Sequence, residues 1–157
     1  MTQDMEYSPR ALRAKELFEE GYNCCQATLI AFEDLTGLDR ETAAKVASSF
    51  GGGIGRLREV CGTFTGACMA LGMIKGYDDP KATTAKSEQY KEIQELAAKF
   101  TEGNGSIICR ELLGLGEKKS DPTPSARTSE YYRKRPCGEL CAYATQLLEN
   151  MLLSKGE

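Results

Sequence analysis

Cysteine occurs seven times in the chain, at 24, 25, 61, 68, 109, 137 and 141, and histidine does not occur at all. Together these facts confine the chemistry. Without an imidazole, the chain's own residues cannot assemble a Ser-His-Asp or Cys-His nucleophile, a histidine metal site or a histidine-ligated haem. What remains is thiol chemistry: dithiol–disulfide exchange, or thiolates that hold a metal. No Cys-x-x-Cys occurs. The thioredoxin device, the paired knuckles of zinc ribbons and the ferredoxin cluster run are therefore all absent. A cluster here would have to draw its thiols from separate parts of the chain.

Placement singles out four of the seven. Cys24 follows Asn23, a capping residue; Cys61 falls in the first turn after the run GGGIG; Cys109 lies three residues after the cap candidate Ser106; Cys137 follows Pro136. Helix starts present free N–H groups and the positive end of the macrodipole, an environment that lowers a thiol's pKa from ~8.5. The expectation is that Cys24, Cys61, Cys109 and Cys137 converge on one anionic centre, as exchanging thiols, as ligands of a metal–thiolate cluster, or around a bound anion. Each cysteine alone is equally what a packed core uses. Cys68 and Cys141 share helix faces with Cys61 and Cys137 and read as packing, and Cys25 as an accessory of Cys24.

The elements that must position these thiols are helical throughout. Ser8-Pro9 opens a helix that runs to Gly21; Asn23 caps CCQATLIAFEDLT, which ends at Gly37; Asp39 opens RETAAKVASSF, ended by the glycine run. EVCGTFTGACMALGMIKG then carries Gly62, Gly66 and Gly72, each costing an isolated helix roughly 1 kcal/mol. The sequence therefore predicts a central helix with other backbones pressed against its glycines. A polar helix follows between Pro80–Ser87 and Phe100, ended by the turn EGNG, and Ser106 caps a short helix. Residues 116–128 read as a mobile surface loop, SEYYRKR as a turn or two, and CGELCAYATQLLENMLL as the last helix. Strand alternation and hairpin turns are missing. The fold class expected is all-α: one helical bundle of six or seven helices over 1–157, its core about 8–154.

Composition fits such a domain, with 41% hydrophobic and 27% charged residues. A net charge of −3 offers no electrostatic footprint for nucleic acid. The charged start is unlike a secretory signal and no stretch is apolar enough to enter a membrane. A cytoplasmic protein is expected, and seven thiols in a reducing compartment point to chemistry, metal or packing rather than a disulfide framework.

GYNCCQA at 21–27, FGGGIGR at 50–56, CGTFTGACMALG at 61–72, CRELLG at 109–114 and CGELCAYA at 137–144 resemble, in order, the C-GCAxxG-C-C family, named as putative redox-active proteins. The resemblance covers about residues 8–150. It implies a redox role and places the family's four cysteines on Cys24, Cys61, Cys109 and Cys137. Thr63 stands where the family's motif has alanine. A more distant similarity to the non-haem part of split-Soret cytochromes implies an iron–sulfur role.

Around the four thiols, Gly62, Gly66, Arg56, Cys25, Cys68 and Cys141 form the accessory set. The run GGGIG lacks the Gly-Lys-Ser/Thr ending of a P-loop and follows a helix, so it reads as a tight turn beside Cys61. Arg56 and Arg58 are there to pair with an anion or to be solvated. Arg133, Lys134 and Arg135 decorate a surface or support a thiolate at Cys137. Three functions compete: thiol/disulfide electron exchange with a redox partner protein, an iron–sulfur or other thiolate-bound metal site, and a helical binding module with buried cysteines. A homodimer is compatible with each.

Overall fold

The computed structural model describes residues 5–116 and 119–154, with the backbone alone at Lys134. Residues 117 and 118 of the expected loop and both ends of the expected 1–157 domain lie outside these. Six helices of seven or more residues carry the fold: α1 (Pro9–Glu19), α2 (Cys24–Ile30), α4 (Arg40–Ala47), α6 (Gly62–Lys75), α7 (Thr83–Asn104) and α10 (Cys137–Ser154). Shorter turns α3 (Glu33–Thr36), α5 (Gly51–Ile54), α8 (Cys109–Leu112) and α9 (Ser129–Lys134) connect them. The architecture is all-α, with one isolated antiparallel bridge, Val60 to Ile108. Among the described residues no helix is long and apolar enough to cross a membrane.

Local chemistry explains the starts. Ser8, Asn23, Asp39 and Thr128 each accept a backbone N–H from the first turn of their helix, and Gln26 completes a capping box with Asn23. The helix expected from Cys24 to Thr36 breaks instead at Ala31–Phe32, because Phe32 turns wholly into the core. α7 continues through Glu102, Gly103 and Asn104 to Gly105, whose left-handed φ of +89° ends it. Ser106 does not cap α8. Its hydroxyl accepts from Ile108 N–H and donates to Glu111, and the helix starts only at Cys109.

α1, α2 and α6 pack with α10 around Leu17, Leu29, Ile30, Leu71 and Leu148, and α7 adds Leu96 and Phe100. Burying each such side chain contributes about 1.5–3 kcal/mol. α6 is the central helix, and two of its glycines explain how α2 comes so close. A Cβ on Gly66 would stand 2.8 Å from the Cys25 carbonyl oxygen, and one on Gly62 would stand 2.6 Å from Cys24 Sγ. Gly72 breaks the expected pattern: nothing lies within 4 Å of its missing Cβ. It sits one turn beyond the contact, on the exposed side.

The glycine run builds a left-handed turn. Gly52, Gly53, Ile54, Gly55 and Arg56 all have φ between +57° and +69°, and Arg58 follows at +63°. Glycine adopts this hand freely, whereas Ile54, Arg56 and Arg58 cost about 1–2 kcal/mol each. The turn is closed by Arg58 N–H donating to Gly52 O (3.1 Å) and Glu59 N–H to Gly53 O (2.9 Å). A clip to the segment before α8 holds it. Cys109 N–H donates to Glu59 O (2.6 Å), Cys61 N–H to Ile107 O (2.7 Å), and Arg110 N–H to Arg58 O (3.3 Å).

Candidate functional site

The clip places the first two thiols. Side chains alternate across extended backbone, so Cys61 and Cys109, flanking the Val60–Ile108 bridge, leave it on the same face, opposite Val60 and Ile108. Cys24 begins α2 on the other side, its sulfur occupying the space that the missing side chain of Gly62 leaves open. Cys137 opens α10, which α1 and α2 hold against this group. All four line one cavity of about 350 Å³. Cys25, Cys68 and Cys141 do not. Cys25 lies in the core beside Thr65 and Met69, and Cys141 is buried with its sulfur 3.8 Å from the Cys24 carbonyl oxygen.

The helix starts are where the sequence put them, with Cys24, Cys109 and Cys137 as first helical residues and Cys61 at the N-cap of α6. At Cys24, Cys61 and Cys137 the electrostatic consequence expected of a helix start is reversed. Burial pushes the Cys24 thiol up, against N–H groups of Gly52, Cys24 and Gly62 that favour its thiolate. Burial and then the neighbouring Cys24 push Cys61 up to about 12, opposed by the Thr63 hydroxyl 3.1 Å from its sulfur. Cys137 is raised by burial and by Cys24, Cys61 and Cys109, with Arg135 opposing. Desolvation by burial outweighs a partial helix charge. A neighbouring thiol also raises each of Cys24, Cys61 and Cys137, so that ionisation of one hinders the next.

The remaining charge comes from arginine. Arg56, Arg58, Arg127 and Arg135 line the cavity, and among the described residues no carboxylate does. Arg58 is buried, at 4% exposure; it donates from Nε to Ser120 Oγ (3.0 Å) and from Nη1 to Cys109 Sγ (3.5 Å). Arg56 donates from Nε to Asp121 O (2.7 Å), and Ser120 N–H donates to Arg56 O (2.9 Å). Arg127 donates to Phe18 O (2.8 Å) and Tyr22 O (3.1 Å) and lies 4.3 Å from the centre of the Phe18 ring. These three arginines tie residues 119–128 down across the mouth of the cavity, where Pro122 and Pro124 complete its wall. Arg135 stacks on Tyr131 at 5.6 Å.

Several readings from sequence change here. Arg58 is neither solvated nor a surface charge. Of the run Arg133–Lys134–Arg135, Arg135 reaches the cavity, Arg133 is exposed, and the Lys134 side chain lies outside the described residues. Arg127 was not anticipated, because its segment has no periodicity to mark which side faces inward. Gly62 and Arg56 line the cavity, whereas Gly66 serves the helix contact. Among the described residues, no three Cys, Asp or Glu side chains are gathered in a group that could hold a metal ion.

No curated protein and no solved structure matches the chain. A family model matches residues 22–151, a span that holds all four cavity cysteines, under the description "Putative redox-active protein (C_GCAxxG_C_C)". The chain belongs to this family.

Proposed function

We propose that the chain is a cytoplasmic redox protein whose working centre is a dithiol–disulfide pair drawn from Cys24, Cys61, Cys109 and Cys137. The observation that carries this reading is the meeting of these four thiols, from four separate elements, in one cavity lined by arginines and, among the described residues, by no carboxylate. On oxidation two S–H bonds break, one S–S bond forms, and two electrons and two protons pass to an oxidised small molecule or to the disulfide of a redox partner protein. Cys109 is the candidate attacking sulfur, since among the described cysteine sulfurs it alone accepts a guanidinium N–H. An electropositive neighbour is what reactive cysteines use. The other three rest as neutral thiols, a store of reducing equivalents that is not lost to stray oxidants.

A second reading has its own support. Peptide N–H groups of Gly52 and Gly62 point at Cys24, and those of Thr63 and Phe64 at Cys61. Such bonds stabilise the sulfurs of a thiolate cluster. The absence of a three-ligand group among the described residues disfavours a single ion and leaves a larger cluster bridging the cavity. Its four ligands would be Cys24, Cys61, Cys109 and Cys137.

Purification without oxygen separates the two. A colourless protein that carries no iron or sulfide, and whose titratable thiols fall by two with a mild oxidant and return with reductant, supports the first reading. Visible absorption with stoichiometric iron and sulfide supports the second. If Cys24→Ser and Cys61→Ser match the parent in both assays, neither reading stands and the cysteines only pack a binding module.

A further inference from the structure

Eight of the nine arginines divide into two groups. Arg10, Arg13, Arg40 and Arg110 each pair with a carboxylate. Arg56, Arg58, Arg127 and Arg135, the four that line the cavity, pair with none among the described residues. A guanidinium cannot discharge itself by losing a proton, so a buried one needs a counter-charge or pays a large desolvation cost. Among the described residues the cavity lining offers it no carboxylate. Arg127 is spent on the carbonyls of Phe18 and Tyr22. The others keep donors in hand: Arg56 uses only Nε, Arg58 uses Nε and Nη1, and Arg135 only stacks. Among the described residues the cavity is lined by these planar forks and by no lysine. Paired N–H donors in one plane match two oxygens of an oxyanion, which a point-like ammonium does not.

We propose that the cavity is the receptor for a small oxyanion, held by Arg58 with Arg56 and Arg135, and that such an oxyanion is the substrate class of the thiol centre. The second half rests on the dithiol reading; the receptor does not. In the reaction two S–H bonds and one bond from the oxyanion's central atom to oxygen break, and one S–S bond forms. The central atom keeps the electron pair, and the oxygen leaves as water with both thiol protons. The arginines stay charged throughout, neutralising the anion beside the sulfurs.

The test is calorimetric titration of the full chain, kept reduced, with inorganic phosphate, sulfate and arsenate. One anion is expected to bind per chain. Arg58→Gln, Arg56→Gln and Arg135→Gln should each weaken it ~10–100-fold, the worth of a charged hydrogen bond. Arg133→Gln, on the exposed surface, should leave it unchanged. Should Arg58→Gln fail to fold, Arg56→Gln and Arg135→Gln carry the result. No binding of any of the three anions by about 10 mM, a free energy below that of a single good contact, would overturn the receptor. So would equal weakening by Arg133→Gln. Arsenate should also be reduced to arsenite with the loss of two thiols per turnover; arsenate bound without thiol loss overturns the substrate assignment. Thiols that cycle in a protein that binds no anion leave the redox reading standing, and anion binding without cycling thiols leaves only the receptor.

Discussion

Cys24 Sγ sits 2.6 Å from where a Cβ on Gly62 would be, so the first thiol of the cavity occupies room that the second helix leaves by having no side chain there. The pairing of a cysteine with a glycine on the facing helix is thus a packing requirement as well as a sequence motif. Gly62→Ala must push α2 from α6 or turn the Cys24 side chain away. We expect a loss of about 1–3 kcal/mol, typical of overpacking, read by thermal melting. Cys24 should also be alkylated faster than in the parent.

The glycines of α6 predict opposite signs within one helix. Gly66→Ala brings a Cβ to 2.8 Å from the Cys25 carbonyl oxygen and should destabilise by a similar amount. Gly72→Ala meets nothing within 4 Å and should stabilise by about 1 kcal/mol through helix propensity alone. Denaturant melts of the two variants decide it; equal shifts would contradict the close approach at Gly66.

The Thr63 hydroxyl lies 3.1 Å from Cys61 Sγ, favouring the thiolate. Thr63→Ala removes that support. Cys61 should then need a higher pH to ionise, and its alkylation at a fixed pH should slow ~2–10-fold, the range of one net hydrogen bond. Mass spectrometry of the Cys61 peptide over time gives the rate.

Alkaline stability follows from the buried thiols. Burial holds Cys25 up to about 12 in the folded chain, opposed by the Thr65 hydroxyl, whereas in the unfolded chain it ionises near ~8.5. Between those values the folded state binds the extra proton, so stability is intact below about pH 8.5 and falls as pH rises towards 12. The slope is about 1.4 kcal/mol per pH unit for each such thiol. Cys25→Ala lies outside the cavity and should flatten the fall in melting temperature between pH 9 and 11 by that increment. An unchanged slope would mean that Cys25 is not buried as described.

The helical fold was legible because capping residues and glycine stops are local: Ser8, Asn23, Asp39 and Gly37 act on neighbours in the chain. The cap before Cys24 was local in the same way, whereas the helices at Cys61 and Cys109 start without a side-chain cap. Burial could not be read, because it depends on what packs above a residue. Consequently the proton affinity expected of Cys24, Cys61 and Cys137 had the wrong sign, and Arg58 and Arg127 could not be told from solvated surface charge. The hand of the GGGIG turn was half-legible: consecutive glycines announce positive φ, but nothing local says that Ile54, Arg56 and Arg58 must follow. Arg58 is held by the clip to residues 107–110 and Arg56 by Ser120 and Asp121, partners far along the chain.

That clip also sets an order of assembly. Arg58 and Cys109 are 51 residues apart in sequence, and a strained turn cannot persist until such a distant partner has closed the loop. On a chain emerging from its N-terminus, Cys24 and Cys61 are synthesised long before Cys109 and Cys137. The early thiols therefore wait, exposed, without the guanidinium and backbone donors that later surround them. Whatever fills the cavity, it can be enclosed only at the last stage of folding, and the nascent chain depends on a reducing environment until then.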